Sequence, residues 1–123
     1  MAPPVKMDKS VAAFLKKNLE PDEELVAYVY GRELHFLFAW LPMRFLMVTN
    51  RRVILTKSGG FSVAEPTRVV ESAPRDQVKL EVVKTGSIST KLRIHFPGAP
   101  QIRLRVFKRF VPAGVVEALL PKR

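Results

Sequence analysis

The chain has 123 residues, 21 Lys+Arg against 11 Asp+Glu, a formal net charge of +10, 47% hydrophobic residues and no cysteine. One domain is expected from that length, and a chain of this size buries roughly two-thirds of its unfolded surface without a disulfide or metal staple. The missing thiol excludes structural disulfides, thiolate catalysis and Cys-ligated zinc, and two histidines are too few for a His-built metal site without carboxylate help.

Residues 1–7, with Pro3 and Pro4, read as a disordered lead-in to a single domain spanning 8–123. A helix follows, capped by Asp8 or Ser10 through a short side-chain oxygen. Val11, Phe14, Leu15 and Leu19 share one face at helical spacing. Lys16 and Lys17 suit the C-terminal end of the helix dipole, and Pro21 stops the helix.

The period then changes from helix to strand. Glu24 to Tyr30 is rich in strand formers and stops at Gly31. Phe45–Val48 and Val53–Thr56 flank Thr49-Asn50-Arg51-Arg52, which reads as a hairpin with Asn50 in a left-handed turn position. Ser58-Gly59-Gly60 closes the second of these strands. Thr67–Ser72 is a short strand broken by Ala73-Pro74-Arg75-Asp76.

Three alternating strands come next. Val78, Leu80 and Val82 point inward in the first; Leu92, Ile94 and Phe96 in the second; Ile102, Leu104 and Val106 in the third. Lys91, Arg93 and His95 point outward in the second, and Arg103 and Arg105 in the third. Thr85-Gly86-Ser87 and Pro97-Gly98-Ala99-Pro100 supply the turns. A short helix over roughly Val111–Leu120 closes the chain, with Pro112 in its first turn and Pro121 as its stop. The expected fold class is mainly β with flanking helices. About seven short antiparallel strands form a small barrel or strongly bent sandwich.

The charge is unevenly placed. Residues 1–81 carry 12 basic and 10 acidic side chains, whereas residues 82–123 carry nine basic side chains against Glu117 alone. A one-sided excess of this kind points to an anionic partner: a membrane surface, an acidic protein or nucleic acid. Catalytic constellations are missing. Ser58-Gly59-Gly60 is neither a nucleophile elbow nor a phosphate loop. Asp22, Glu23 and Glu24 read as an exposed acidic turn rather than a cation site. The expectation is a protein that is not an enzyme and needs no cofactor or metal.

Four features resemble the bacterial pleckstrin-homology-like (PH-like) domains. They are Leu19-Glu20-Pro21-Asp22-Glu23-Glu24-Leu25-Val26-Ala27 leading into the first strand, the hairpin Met47-Val48-Thr49-Asn50-Arg51-Arg52-Val53-Ile54-Leu55, the lead-in Ser72-Ala73-Pro74-Arg75-Asp76-Gln77-Val78, and the basic last strand followed by a short helix. The resemblance implies a seven-stranded, partly open barrel with a C-terminal capping helix. It implies a binding or assembly module. By position, Thr49 and Arg52 bracket the hairpin in structural roles, Thr49 satisfying turn backbone and Arg52 packing its stem over the barrel. Phosphoinositide-binding relatives carry basic residues across their first hairpin. Here Gly31–Met43 is apolar, flanked by Arg32 and Arg44, which argues against specific headgroup recognition there.

Two surfaces carry the functional expectations. In the apolar segment, Phe36, Phe38 and Trp40 alternate with Leu37, Ala39 and Leu41, so both faces are apolar. The first reading is a strand buried between barrel and N-terminal helix. A homo-oligomer seam through Phe36, Phe38, Trp40 and Leu41 is the second, and a loop dipping into lipid the third. The basic hairpin offers Lys91, Arg93, Arg103 and Arg105, with Lys108 and Arg109 beyond it, to an anionic membrane surface or acidic protein. Nucleic acid ranks lower, because the aromatic between Lys91 and Arg105 is the inward-pointing Phe96 and offers no stacking platform. The apolar run Leu34–Val48 has only 15 residues, short of the roughly 20 of a membrane-spanning helix. No signal-peptide pattern stands at the N-terminus. The expected location is therefore cytoplasmic, extending to peripheral contact at the inner membrane face.

Overall fold

A computed structural model describes residues 5–34, 43–59 and 65–107. Helix α1 spans Val5–Asn18 and is followed by strands β1 (Leu25–Leu34), β2 (Met43–Thr49), β3 (Arg52–Gly59) and β4 (Glu65–Pro74). A 3₁₀ turn at Arg75–Gln77 leads to β5 (Lys79–Thr85), β6 (Ser89–His95) and β7 (Ile102–Phe107). All ladders are antiparallel, in one seven-stranded sheet ordered β4-β3-β2-β1-β7-β6-β5.

That order forces the sheet to roll. If it were flat, edge strands β4 and β5 would lie about 29 Å apart at about 4.8 Å per strand. Yet they are joined through the single turn Arg75–Gln77, and the five residue steps from Pro74 to Lys79 reach about 17 Å at most. The edges must meet at this corner, where the Arg75 N–H donates to the Arg51 carbonyl at 2.8 Å. No ladder joins β4 to β5, so the barrel is open between them.

The bend runs through β1. Its first part pairs with β2 and its last residues, Gly31–Leu34, pair with β7. Gly31 does not end this strand, as its residue type suggested, but makes the crossing possible. A Cβ placed there would lie 2.6 Å from the Arg105 carbonyl oxygen. The glycine is a site of close backbone approach, the other common reason for one inside a strand.

Two apolar layers lie on either side of β1–β3. The barrel interior holds Val29, Leu46, Val48, Val53, Leu55, Leu80, Leu92, Ile94, Phe96, Leu104 and Val106. On the outside, Val11 and Leu15 of α1 pack on Phe45, Met47 and Ile54, with Phe14, Leu19, Tyr28 and Tyr30 around them. Phe45 also meets the Tyr30 ring at 4.8 Å between centroids. Burying Val11 and Leu15 contributes about 1.5–3 kcal/mol each, well above what helix propensity supplies. Residues 45–48 of β2 and 53–55 of β3 are thus buried on both faces.

Other expectations shift locally. The helix starts at Val5, so residues 5–7 belong to it and not to a lead-in. Asn50 is not left-handed; no described non-glycine residue has positive φ. Val82 is in register with the inward Leu92 but is 38% exposed, because β5 is an edge strand with no ladder to β4. The helix expected over Val111–Leu120, Lys108 and Arg109, and the segment with Phe36, Phe38, Trp40 and Leu41 all lie outside the described residues.

Candidate functional site

Three places outside the core carry polar chemistry. The first joins the turn before β1 to the β2–β3 turn. Glu23 lies in the acidic turn but is buried, not exposed as expected. Its carboxylate accepts from Thr49 Oγ1 at 2.6 Å, Arg52 Nε at 2.8 Å and the Glu20 N–H at 3.2 Å. Burial alone would push this carboxyl up, but bonds from Arg52, Thr49 and Glu20 outweigh it and hold the group below the usual carboxylate range. Thr49 Oγ1 accepts from the Arg51 and Arg52 N–H groups at 3.1 and 2.9 Å, so it does satisfy turn backbone. Arg52 does more than pack its stem: Nη2 donates to the Asn18 carbonyl at the end of α1, at 2.6 Å. Asn50 receives the Glu24 N–H at 2.8 Å and donates to the Asp22 carbonyl at 3.2 Å. Arg51 pairs with Glu20 and Asp22 at the surface. These groups consume one another's hydrogen-bonding capacity, so the cluster acts as a structural clasp.

The second is the ion pair of Arg44 and Glu33, Nε to Oε1 at 2.9 Å, with both side chains about one-eighth exposed. Their register partners, Gly31 for Arg44 and Leu104 for Glu33, put them on the inward-facing rows, at the end of the barrel where β1 leaves β2. It fills polar space at the mouth of the core.

The third is the outer face of β5, β6, β7 and β1. The inward rows, Leu92, Ile94, Leu104 and Val106, are at most 1% exposed. Their neighbours therefore face out. The ladders bring together four of the expected basic residues: Lys91 lies opposite Arg105, and Arg93 opposite Arg103. They add one residue that sequence alone did not place, since Arg32 of β1 lies opposite Arg105 on the other side. Lys91, Arg105 and Arg32 form a row across three strands, spanning about 10 Å at the usual strand spacing. Among the described residues, the acid facing this patch is Glu81, register partner of Arg93, with Arg93 Nη1 at 3.4 Å from its Oε2. Lys91, Arg103, Arg105 and Arg32 have no ion pair among the described residues. The Nε atoms of Arg93 and Arg105 are shielded from solvent and make no hydrogen bond among the described residues. His95 is exposed beside the patch.

The patch ends at the β5–β6 turn, Gly86–Ser87–Ile88, where the Gly86 N–H donates to the Ser89 carbonyl at 2.8 Å. A recess of about 270 Å³ opens there, lined by Gly86, Ser87, Ile88, Ser89, Lys91 and Arg105. Ile88 is 73% exposed. A lone isoleucine among small polar residues gave no periodic signal, and only the turn reveals it as a tip. Among the described residues no group of three or more His, Asp or Glu is placed to hold a metal ion, and no helix is long and apolar enough to cross a membrane.

No protein-family model matches the chain. No curated protein matches it either. Among solved structures, the chain is similar to the crystal structure of a pleckstrin homology domain from Shewanella amazonensis SB2B, with 22% identity over 77% of this chain and 78% of that one, at a TM-score of 0.43.

Proposed function

We propose that the protein is a non-catalytic binding module that associates with an anionic membrane surface through the outer face of β6 and β7. The observation that carries this reading is the in-register opposition of like charges, Lys91 to Arg105 and Arg93 to Arg103. Like charges directly opposite one another destabilise a sheet. An isolated domain gains nothing from four of them, whereas an anionic surface turns the cost into attraction of about 1 kcal/mol per side chain. Phe96, the aromatic between Lys91 and Arg105 in sequence, is buried at 1% exposure and offers no platform for stacking bases.

Vesicle sedimentation tests the reading. The full chain binds vesicles containing phosphatidylserine, binds phosphatidylcholine alone weakly, and loses affinity as salt rises. Replacing Lys91, Arg103 and Arg105 together by Ala weakens binding by about 3 kcal/mol, or about 100-fold. Equal binding to neutral and anionic vesicles refutes it.

A further inference from the structure

Resting on that reading, we propose that the protein meets the membrane tip-first. In this pose Ile88 of the β5–β6 turn enters the lipid interface, while Lys91 and Arg105, in the recess behind it, hold lipid phosphates. The pose follows from distances along the hairpin. Ile88 is three residues from Lys91, or about 10 Å at strand rise. Interfacial apolar groups sit about 5–10 Å inside the headgroup boundary. With Ile88 at that depth, Lys91 and its register partner Arg105 reach the phosphate level. Arg93 and Arg103 lie two residues further along, about 7 Å deeper into water. There the one described acid facing the patch, Glu81, engages Arg93. The acid thus stands where lipid phosphate is out of reach and is missing where phosphate is near.

The recess has the chemistry of a phosphate site. Lys91, Arg105 and Ser89 bring an ammonium, a guanidinium and a hydroxyl to its lining, with no carboxylate among the described residues there. Its volume of about 270 Å³ is several times the about 30 Å³ that a water occupies in the liquid. The exposed Ile88 selects a lipid surface over a soluble phosphate or an acidic peptide, because an apolar tip contributes only where there is apolar depth to enter.

The chain has no cysteine, so a single dye can be placed at will. Ser87→Cys carries an environment-sensitive fluorophore beside Ile88; Ser72→Cys, exposed on edge strand β4, carries the control. With phosphatidylserine-containing vesicles, the label at 87 shifts to the blue and the label at 72 does not. Ile88→Asp weakens vesicle binding about tenfold, the order expected for losing the burial of one isoleucine. Its far-UV circular dichroism matches the parent, since Ile88 contributes nothing to the core. If the parent binds anionic vesicles, yet the label at 87 does not shift and Ile88→Asp binds as the parent does, the tip-first pose is overturned and the basic-face reading stands. If the parent does not bind anionic vesicles, both fall. An equal shift at 87 with neutral vesicles overturns the phosphate role of Lys91 and Arg105. Soluble inorganic phosphate that displaces the protein from vesicles at low millimolar concentration overturns the choice of a lipid surface.

Discussion

Replacing Glu23 by Gln tests whether the clasp at the base of the sheet is held by charge. Glutamine keeps the volume and one acceptor oxygen but removes the negative charge that draws in Arg52 Nε at 2.8 Å and Thr49 Oγ1 at 2.6 Å. Hydrogen bonds to a charged group contribute about 1.5–3 kcal/mol each. Stranding a fully buried partner costs about 3–5 kcal/mol. Here the side chain of Arg52 is 28% exposed and keeps its bond to the Asn18 carbonyl, so it is not stranded. The expected loss is therefore about 2–3 kcal/mol, below the fully buried case. For a domain of this size that lowers the Tm by about 10 °C.

The pH dependence separates charge from packing. Burial opposes ionisation of Glu23, but the bonds from Arg52, Thr49 and Glu20 prevail and its folded pKa is lowered. A lowered carboxyl pKa contributes stability that is present above the unfolded value of about 4.3 and lost as pH falls through the folded value. Urea unfolding followed by circular dichroism should show the full Glu23→Gln deficit at neutral pH and a shrinking deficit below about pH 4. Paired with Arg52→Ala, the double-mutant cycle should give a coupling of about 1–2 kcal/mol. A deficit that is unchanged in acid, or a coupling near zero, would refute the charge-held clasp.

Two further substitutions probe the seam and the patch. Gly31→Ala should cost about 1–3 kcal/mol, read from the urea midpoint, because the new Cβ meets backbone of β7 that cannot swing aside; a neutral result would mean the β1–β7 crossing is loosely packed. Glu81→Gln should change binding to anionic vesicles by less than about twofold and stability by less than about 0.5 kcal/mol, since its exposed partner Arg93 stands behind the phosphate level. A gain of about fivefold would bring Arg93 into the contact and count against the tip-first pose.

The last three strands were legible because each has one wet face. Leu92, Ile94 and Phe96 alternate with Lys91, Arg93 and His95, and that period survives into the burial of alternate residues. The first sheet half was less legible for the opposite reason. Phe45, Leu46, Met47 and Val48 are buried in succession, because α1 covers the face that the barrel does not. A strand dry on both sides has no period to read. Gly31 misled because a glycine in sequence signals a stop as readily as a crossing, and only the position of β7 distinguishes them. Asn50 misled similarly: its side chain binds Glu24 and Asp22 backbone 26 and 28 residues away, contacts with no local signature.

The basic face was half legible, and the missing half is instructive. Alternation shows that Arg93 and Arg105 face outward, but not which residues stand beside them. Arg32 and Glu81 join from strands that are neighbours only in the rolled sheet. These neighbours change the chemistry: one extends the row of unpaired cations, the other neutralises Arg93 at the end far from Ile88. Along the hairpin the patch is apolar at Ile88, then carries Lys91 and Arg105 with no ion pair among the described residues, then Arg93 paired with Glu81 beside an Arg103 that has no such pair. Because the inward rows of the same strands are complete without them, Lys91, Arg103 and Arg105 can be changed with no hole in the core. On the proposed reading, binding and folding fall to opposite faces of the same strands, so a loss of binding in these variants cannot be charged to unfolding once the circular dichroism is intact.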